Sequence, residues 1–338
     1  PASQPPSLSA SATPSASQTK KPAPTQTPSP SPGFIPDTDI PDVVTGKGPA
    51  ADSSRTVYED EKNVYILITS YGPECLYRID KIDNSAQIIS FNCNGFTMLG
   101  GKIFYIDYDA RSGCYNTLKS FDTSSKKVKQ ILKLKYGIYN VAAYKEKLYF
   151  VYAPEHNEEL EADISNLYSI NPNGKNTTVV AKDVDTFIIY NDVLYYTEPG
   201  YPDGAPLYMC KLDNKRDKTF IDWTWDYTIL NGKLFFNRDD ENAFLNYLCE
   251  IDLSTQKVTK LSLGLYDYIP FGQYLISVEI DETAVCGISY LQAFDTENGD
   301  VYKLLELGTE EYYTLNSSQD RAYISCTMAT ACIFLKSR

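Results

Sequence analysis

The chain has 338 residues, 28 of them tyrosine, and a net charge of −13. Residues 1–55 hold four basic groups (Lys20, Lys21, Lys47, Arg55) and four acidic ones (Asp37, Asp39, Asp42, Asp52), so the whole negative excess belongs to the rest of the chain. Such a domain repels phosphate backbones and anionic bilayers, which excludes nucleic acid and direct membrane binding as expected partners, and no stretch is long and apolar enough to span a bilayer.

Residues 1–32 are almost entirely Pro, Ser, Thr, Ala and Gln. They carry too little apolar surface to offset the entropy of ordering a backbone, and their prolines favour an extended spacer. We therefore expect a disordered linker over 1–40 and a folded part over 41–338, with 41–55 as a transition. A chain that starts at Pro1 reads as a mature or trimmed form. A Pro/Ser/Thr-rich stalk suits a domain held outside the cell through an N-terminal anchor that lies beyond this sequence.

From about residue 56 a unit of roughly 40–48 residues recurs. A short apolar-aromatic strand, usually opened by a polar residue, occurs seven times, starting at Asn63, Lys102, Lys147, Val193, Lys233, Gln273 and Arg321. A turn and another short strand precede each. In most repeats a strand ending in Asp or Asn follows, at 76–80, 118–122, 167–171, 207–213, 247–252 and 291–295. Then come a polar turn, such as Pro172-Asn173-Gly174, and a fourth strand, such as 177–181 or 257–261. Four short antiparallel strands per repeat make a propeller blade, and a blade buries both faces only when neighbours stack into a ring.

The expected fold is thus all-β: a β-propeller of seven four-stranded blades, with six as the alternative. Six units are complete, and from about residue 311 only three strands remain. The segment 41–46 (PDVVTG) is the best candidate for the missing strand, joining the chain ends and removing an exposed edge.

The strand Leu194-Tyr195-Tyr196-Thr197-Glu198 resembles the YWTD tetrad, without its tryptophan. Over about 56–338 the chain resembles the YWTD-type propellers of lipoprotein-receptor relatives. More closely, it resembles the uncharacterised propeller domain of bacterial, largely clostridial, surface lipoproteins. The resemblance implies a propeller in an extracellular, surface-tethered setting and supplies no ligand.

One face of such a propeller collects the loops that join strand 4 to the next strand 1 and strand 2 to strand 3. There the sequence is aromatic and acidic, and Tyr136, Tyr139, Trp223, Trp225, Tyr266 and Tyr268 are candidate ligand contacts, with Asp226 and Asp267 as polar ones. Aromatic faces with carboxylates suit a glycan, or a peptide with basic groups. Packing between blades is the competing explanation for the same aromatics. Residues 155–163 and 239–242 are acidic but match no calcium-loop spacing, and read as solvated loops. Catalysis has little support: the one histidine, His156, has no nucleophile motif beside it. No catalytic residue, metal or cofactor is assigned.

Eight cysteines, an even number, are expected to be oxidised outside the cytosol. Cys210 and Cys249 occupy matching places in adjacent blades, Cys75 and Cys93 could meet across a ladder, and Cys326 and Cys332 flank the last connection. The expected function is a monomeric, non-enzymatic binding module for a glycan or peptide. The alternatives are a carbohydrate-active hydrolase or lyase using carboxylates of that face, and a protein–protein scaffold.

Overall fold

Apolar runs separated by two-residue and five-residue turns fold back on themselves in fours. The structure, a computed structural model, describes residues 51–52, 57–68, 74–157, 162–199, 204–213, 218–240, 245–261, 265, 268–281, 288–308, 313–317, 321–326 and 333–336. Blade 1 comprises Val57–Glu59, Asn63–Ile68, Cys75–Asp80 and Ala86–Phe91; blade 2 comprises Cys93–Leu99, Lys102–Asp109, Cys114–Asp122 and Val128–Lys133. Blade 3 is Ile138–Tyr144, Lys147–Asn157, Ala162–Ile170 and Thr178–Lys182; blade 4 is Phe187–Tyr190, Val193–Thr197, Ala205–Lys211 and Thr219–Thr224. Blade 5 is Tyr227–Leu230, Lys233–Asp240, Leu245–Asp252 and Val258–Lys260; blade 6 is Ile269–Phe271, Tyr274–Asp281, Ile288–Asp295 and Val301–Gly308.

Among the described residues the propeller has six four-stranded blades, the alternative count. The last strands, Tyr313–Ser317, Arg321–Cys326 and Ile333–Lys336, form a three-stranded sheet. The segment 41–46, expected to complete it, lies outside the described residues. The strand Ala51–Asp52 instead pairs antiparallel with the first strand of blade 4, Ala51 opposite Ile189 and Asp52 opposite Ile188.

The core sits between blades. Tyr65, Leu76, Phe96, Ile103 and Tyr105 fill the junction of blades 1 and 2, and Phe104, Leu118, Leu148 and Phe150 that of blades 2 and 3. Val151, Leu167, Phe187 and Tyr196 fill the junction of blades 3 and 4, and Ile188, Leu207, Tyr227 and Phe236 that of blades 4 and 5. Phe235, Leu248, Tyr268 and Leu275 close blades 5 and 6. Because successive side chains on a strand point to opposite faces, Ile188 serves one junction and its neighbours Phe187 and Ile189 the other.

One position repeats in every complete blade: a leucine of the third strand, namely Leu76, Leu118, Leu167, Leu207, Leu248 and Leu291, each wholly buried. In five blades the outermost strand carries a bulge next to it, with Ile89, Ile131, Val180, Ile221 and Leu304 as the extra residue. All five are apolar; the first four pack into junction clusters and Leu304 into the apolar face of blade 6. The bulge bends the outer strand and re-aims its side chains.

The recurrent Asp that ends the third strand is a turn device. Asp122 and Asp252 accept backbone N–H groups two and three residues on, from Ser124 and Ser125 and from Ser254 and Thr255, at 2.8–3.2 Å. Asp80 and Asp295 accept from Ile82 and Glu297, at 2.8 and 2.9 Å. The residue closing each loop lies in the left-handed region: Asn84, Lys126 and Gln256 at φ 59° and Gly299 at 83°. Side-chain carboxylates commonly hold such turns.

The two expected pairings that fall within the described residues, Cys75 with Cys93 and Cys210 with Cys249, are not formed: Cys75, Cys93, Cys114, Cys210 and Cys249 are thiols. Cys210 faces the junction of blades 3 and 4 and Cys249 that of blades 4 and 5, so the sheet of blade 4 stands between them. Cys75 pairs in register with Phe91, while Cys93 opens the next blade opposite Asp107. Cys326 lies on a described strand, but its side chain and Cys332 fall outside what is described.

Candidate functional site

The described candidate aromatics lie at different depths. Tyr136 is 42% exposed in the link between blades 2 and 3, with the Lys135 Nζ 4.5 Å from its ring centre. Tyr139 is half-buried against the core of blades 3 and 4 and folds over Gly137, where an added Cβ would stand 2.5 Å from its hydroxyl. Tyr268 is buried between blades 5 and 6, and its hydroxyl donates to the Asp226 carbonyl at 3.2 Å. Burial pushes its pKa well up. The Asp226 carboxylate accepts from the Tyr227 N–H at 2.8 Å, a corner contact between blades 4 and 5. Tyr266 and Asp267 lie outside the described residues.

The two tryptophans are the exposed pair. Trp223 is 47% and Trp225 53% exposed. Trp223 stands on the outermost strand of blade 4, at the periphery, and Trp225 in the link from that strand to blade 5. Trp223 is thus on an outer strand while Tyr139 is on a first strand, and Trp225 adjoins Asp226, whose carbonyl Tyr268 bonds.

Trp223 also ends an aromatic row that sequence reading missed. Tyr196, Tyr208, Phe220 and Trp223 lie on three adjacent strands, with successive ring centres 5.7, 5.6 and 6.4 Å apart. Phe220 and Trp223 are three apart, which in a straight strand would put them on opposite faces. The bulge at Ile221 brings both to the same side and sends Ile221 into the junction with blade 5. The row runs from buried Tyr196, through half-buried Tyr208, to Phe220, which is 49% exposed. Its inner end packs in the junction of blades 3 and 4.

Charge is fixed along the row. Lys218 lies 3.5 Å from the Tyr208 ring centre, a cation–π contact, and pairs with Glu198. Asp222, opposite Leu207, pairs at 3.2 Å with Arg238 of blade 5 on the other face of the sheet. Blades 5 and 6 repeat the lysine-over-tyrosine contact with Lys260 over Tyr247 and Lys303 over Tyr290. Blade 4 adds two exposed rings beyond it. The result is a ribbon of apolar faces with one held ion pair, Lys218 and Glu198, against it. Such a surface can stack on a sugar ring or a planar side chain and hydrogen-bond its rim.

Among the described residues no group of three or more His, Cys, Asp or Glu could hold a metal ion, and no helix is long and apolar enough to cross a membrane. The side chains of His156 and of the two acidic loops are outside what is described.

No family model matches the chain, and no curated protein matches it either. Solved structures do match. The propeller domain of the Trilobed protease from Pyrococcus furiosus has a TM-score of 0.57 at 11% identity, covering 86% of this chain and 93% of that one. An oligogalacturonate lyase in complex with manganese gives 0.57 at 10%, covering 87% and 98%. The chain is a β-propeller. Puromycin hydrolase gives 0.58 at 12%, and there the propeller spans only 52% of the other chain, against 85% of its own. At these identities the likeness establishes the fold alone, a fold shared by a protease's propeller domain, a hydrolase and a lyase.

Proposed function

We propose that this propeller is a non-enzymatic extracellular binding module, with a glycan or peptide held on the aromatic ribbon of blade 4. The observation that carries the reading is the exposed pair Phe220 and Trp223, brought to one side by a bulge and continued inward by Tyr208. Exposed, aligned aromatic rings on an otherwise acidic surface are a recognised signature of an interaction site. The Pro/Ser/Thr-rich first forty residues are read as a stalk from a bacterial cell surface, in keeping with the resemblance to surface lipoproteins. The protein is monomeric in this reading and touches the membrane only through its anchor.

The test is binding to immobilised polysaccharides and short basic peptides. Wild-type protein retains one ligand class, and Trp223→Ala and Phe220→Ala each weaken retention at least tenfold without lowering the melting temperature. Unchanged retention in both variants contradicts the site. The second reading, a carbohydrate-active hydrolase or lyase, is motivated by the likeness to oligogalacturonate lyase over 98% of that chain. Product release from the retained polysaccharide, abolished by single carboxylate substitutions, would favour it. A scaffold for another protein predicts no response to either ligand class.

A further inference from the structure

The ribbon of blade 4 has a shape as well as a place. Tyr196 and Tyr208 pack into the same cluster as Leu167, Val180 and Ala181 of blade 3, so the row leads outward from the junction of blades 3 and 4. Its rings are not coplanar. Phe220 stands at 68° to Tyr208, and Trp223 at 65° to Phe220, both edge to face. The Lys218 ammonium sits 3.5 Å from the centre of the Tyr208 ring and is held there by Glu198. Phe220 and Trp223 are the rings left open to solvent, with centres 6.4 Å apart.

We infer, on the reading that this ribbon binds ligand, that its occupant is a proline-rich peptide in the polyproline conformation, with one proline seated in the notch between Phe220 and Trp223. A glycan chain stacks by laying flat sugar faces on ring faces, and an extended chain needs platforms that lie roughly in one plane. Two touching rings at 65° present no such plane. They form the two walls of a notch. A proline ring is compact and apolar on all sides, so it can touch one wall with its face and the other with its edge. Its fixed φ also orders the peptide before it binds, which lowers the entropy lost on binding. Grooves lined by aromatic rings recognise proline-rich segments on this principle.

Two further features fit the same occupant. Among the described residues the indole N–H of Trp223 has no acceptor: the Trp223 group that donates to Asp222 is the backbone N–H. A polyproline helix has no internal hydrogen bonds, so its carbonyls are free to accept from that indole. The net charge of −13 belongs wholly to the chain beyond residue 55, so basic residues that flank the prolines are drawn to the domain.

The probe is a fluorescein-labelled peptide of six prolines between two lysines, titrated by anisotropy into the full chain. Its control has alanines in place of the prolines, and retention on immobilised polysaccharides is measured in parallel. The proline peptide is expected to bind saturably and at least tenfold more tightly than the alanine peptide. Phe220→Ala should weaken it at least tenfold. Trp223→Phe keeps an aromatic wall and removes the N–H, and should weaken it at least threefold. Equal affinity for the two peptides, or unchanged affinity in both variants, overturns the proposal. Retention on a polysaccharide that Phe220→Ala abolishes, with no binding of the proline peptide, also overturns it and leaves the ribbon as a glycan site. No binding of any probe overturns the proposal and the ribbon reading together.

Discussion

At the scale of single residues, the most instructive side chains are the turn aspartates. The repeated Asp at the end of each third strand invites a reading as a binding or catalytic carboxylate. The structure spends it on backbone N–H groups. Those bonds, with neighbouring hydroxyls, hold the Asp252 carboxyl at about 2 and that of Asp122 lower still. Asp109 is likewise at about 2, through Lys133 and Ser112. The unfolded reference is about 3.9. A depressed folded pKa gives stability that is fully present above the unfolded value and is lost as pH falls through the folded one. Acidification from pH 5 to pH 2 should therefore lower the melting temperature. In a variant with Asp122→Asn and Asp252→Asn the fall should be smaller, because Asn still accepts the N–H groups but does not titrate. Circular dichroism melts at stepped pH check this, and parallel curves for the two proteins would contradict it.

At the scale of elements, strand identity was legible and strand phase was not. The pattern around Leu194-Tyr195-Tyr196 announces a second strand, and the Asn231-Gly232 pair announces the turn before the next one, with φ of 50° and 77°. The Phe220-to-Trp223 spacing conceals its common side, because nothing local marks Ile221 as the inserted residue. Tyr136 and Tyr268 precede first strands in the same way, yet one is exposed and the other buried. The difference lies in the neighbouring blade, which a local window does not contain. The two-residue strand Ala51–Asp52 has no pattern at all. These assignments predict a contrast. Leu207→Ala, in the wholly buried repeat position, should cost about 2–5 kcal/mol. Trp223→Ala, at an exposed position, should stay within about 0.5 kcal/mol. Urea unfolding of both variants checks it, and similar losses would mean that Trp223 is core.

At the scale of the whole molecule, repetition decided the fold and left the activity open. A repeat of four strands leads to a ring of blades because each blade must cover its neighbour. The count turned on the chain ends, where among the described residues the last three strands have no fourth. Most charge on the domain is acidic, while the aromatic ribbon of blade 4 carries a held lysine, Lys218. The proposed recognition surface lies at the periphery of one blade, where loops and an outer strand can vary without disturbing the junction cores.

The central claim is that this ribbon binds ligand. It is tested most directly by the intrinsic fluorescence of the protein, because Trp223 and Trp225 are its only tryptophans and both are exposed. The emission should be that of water-exposed indole, should be quenched by acrylamide, and should change saturably with the bound glycan or peptide. The change should vanish in Trp223→Phe combined with Phe220→Ala. Emission that is shielded from acrylamide, or traces that stay flat across cell-wall glycans, host glycans and basic peptides, would contradict the account.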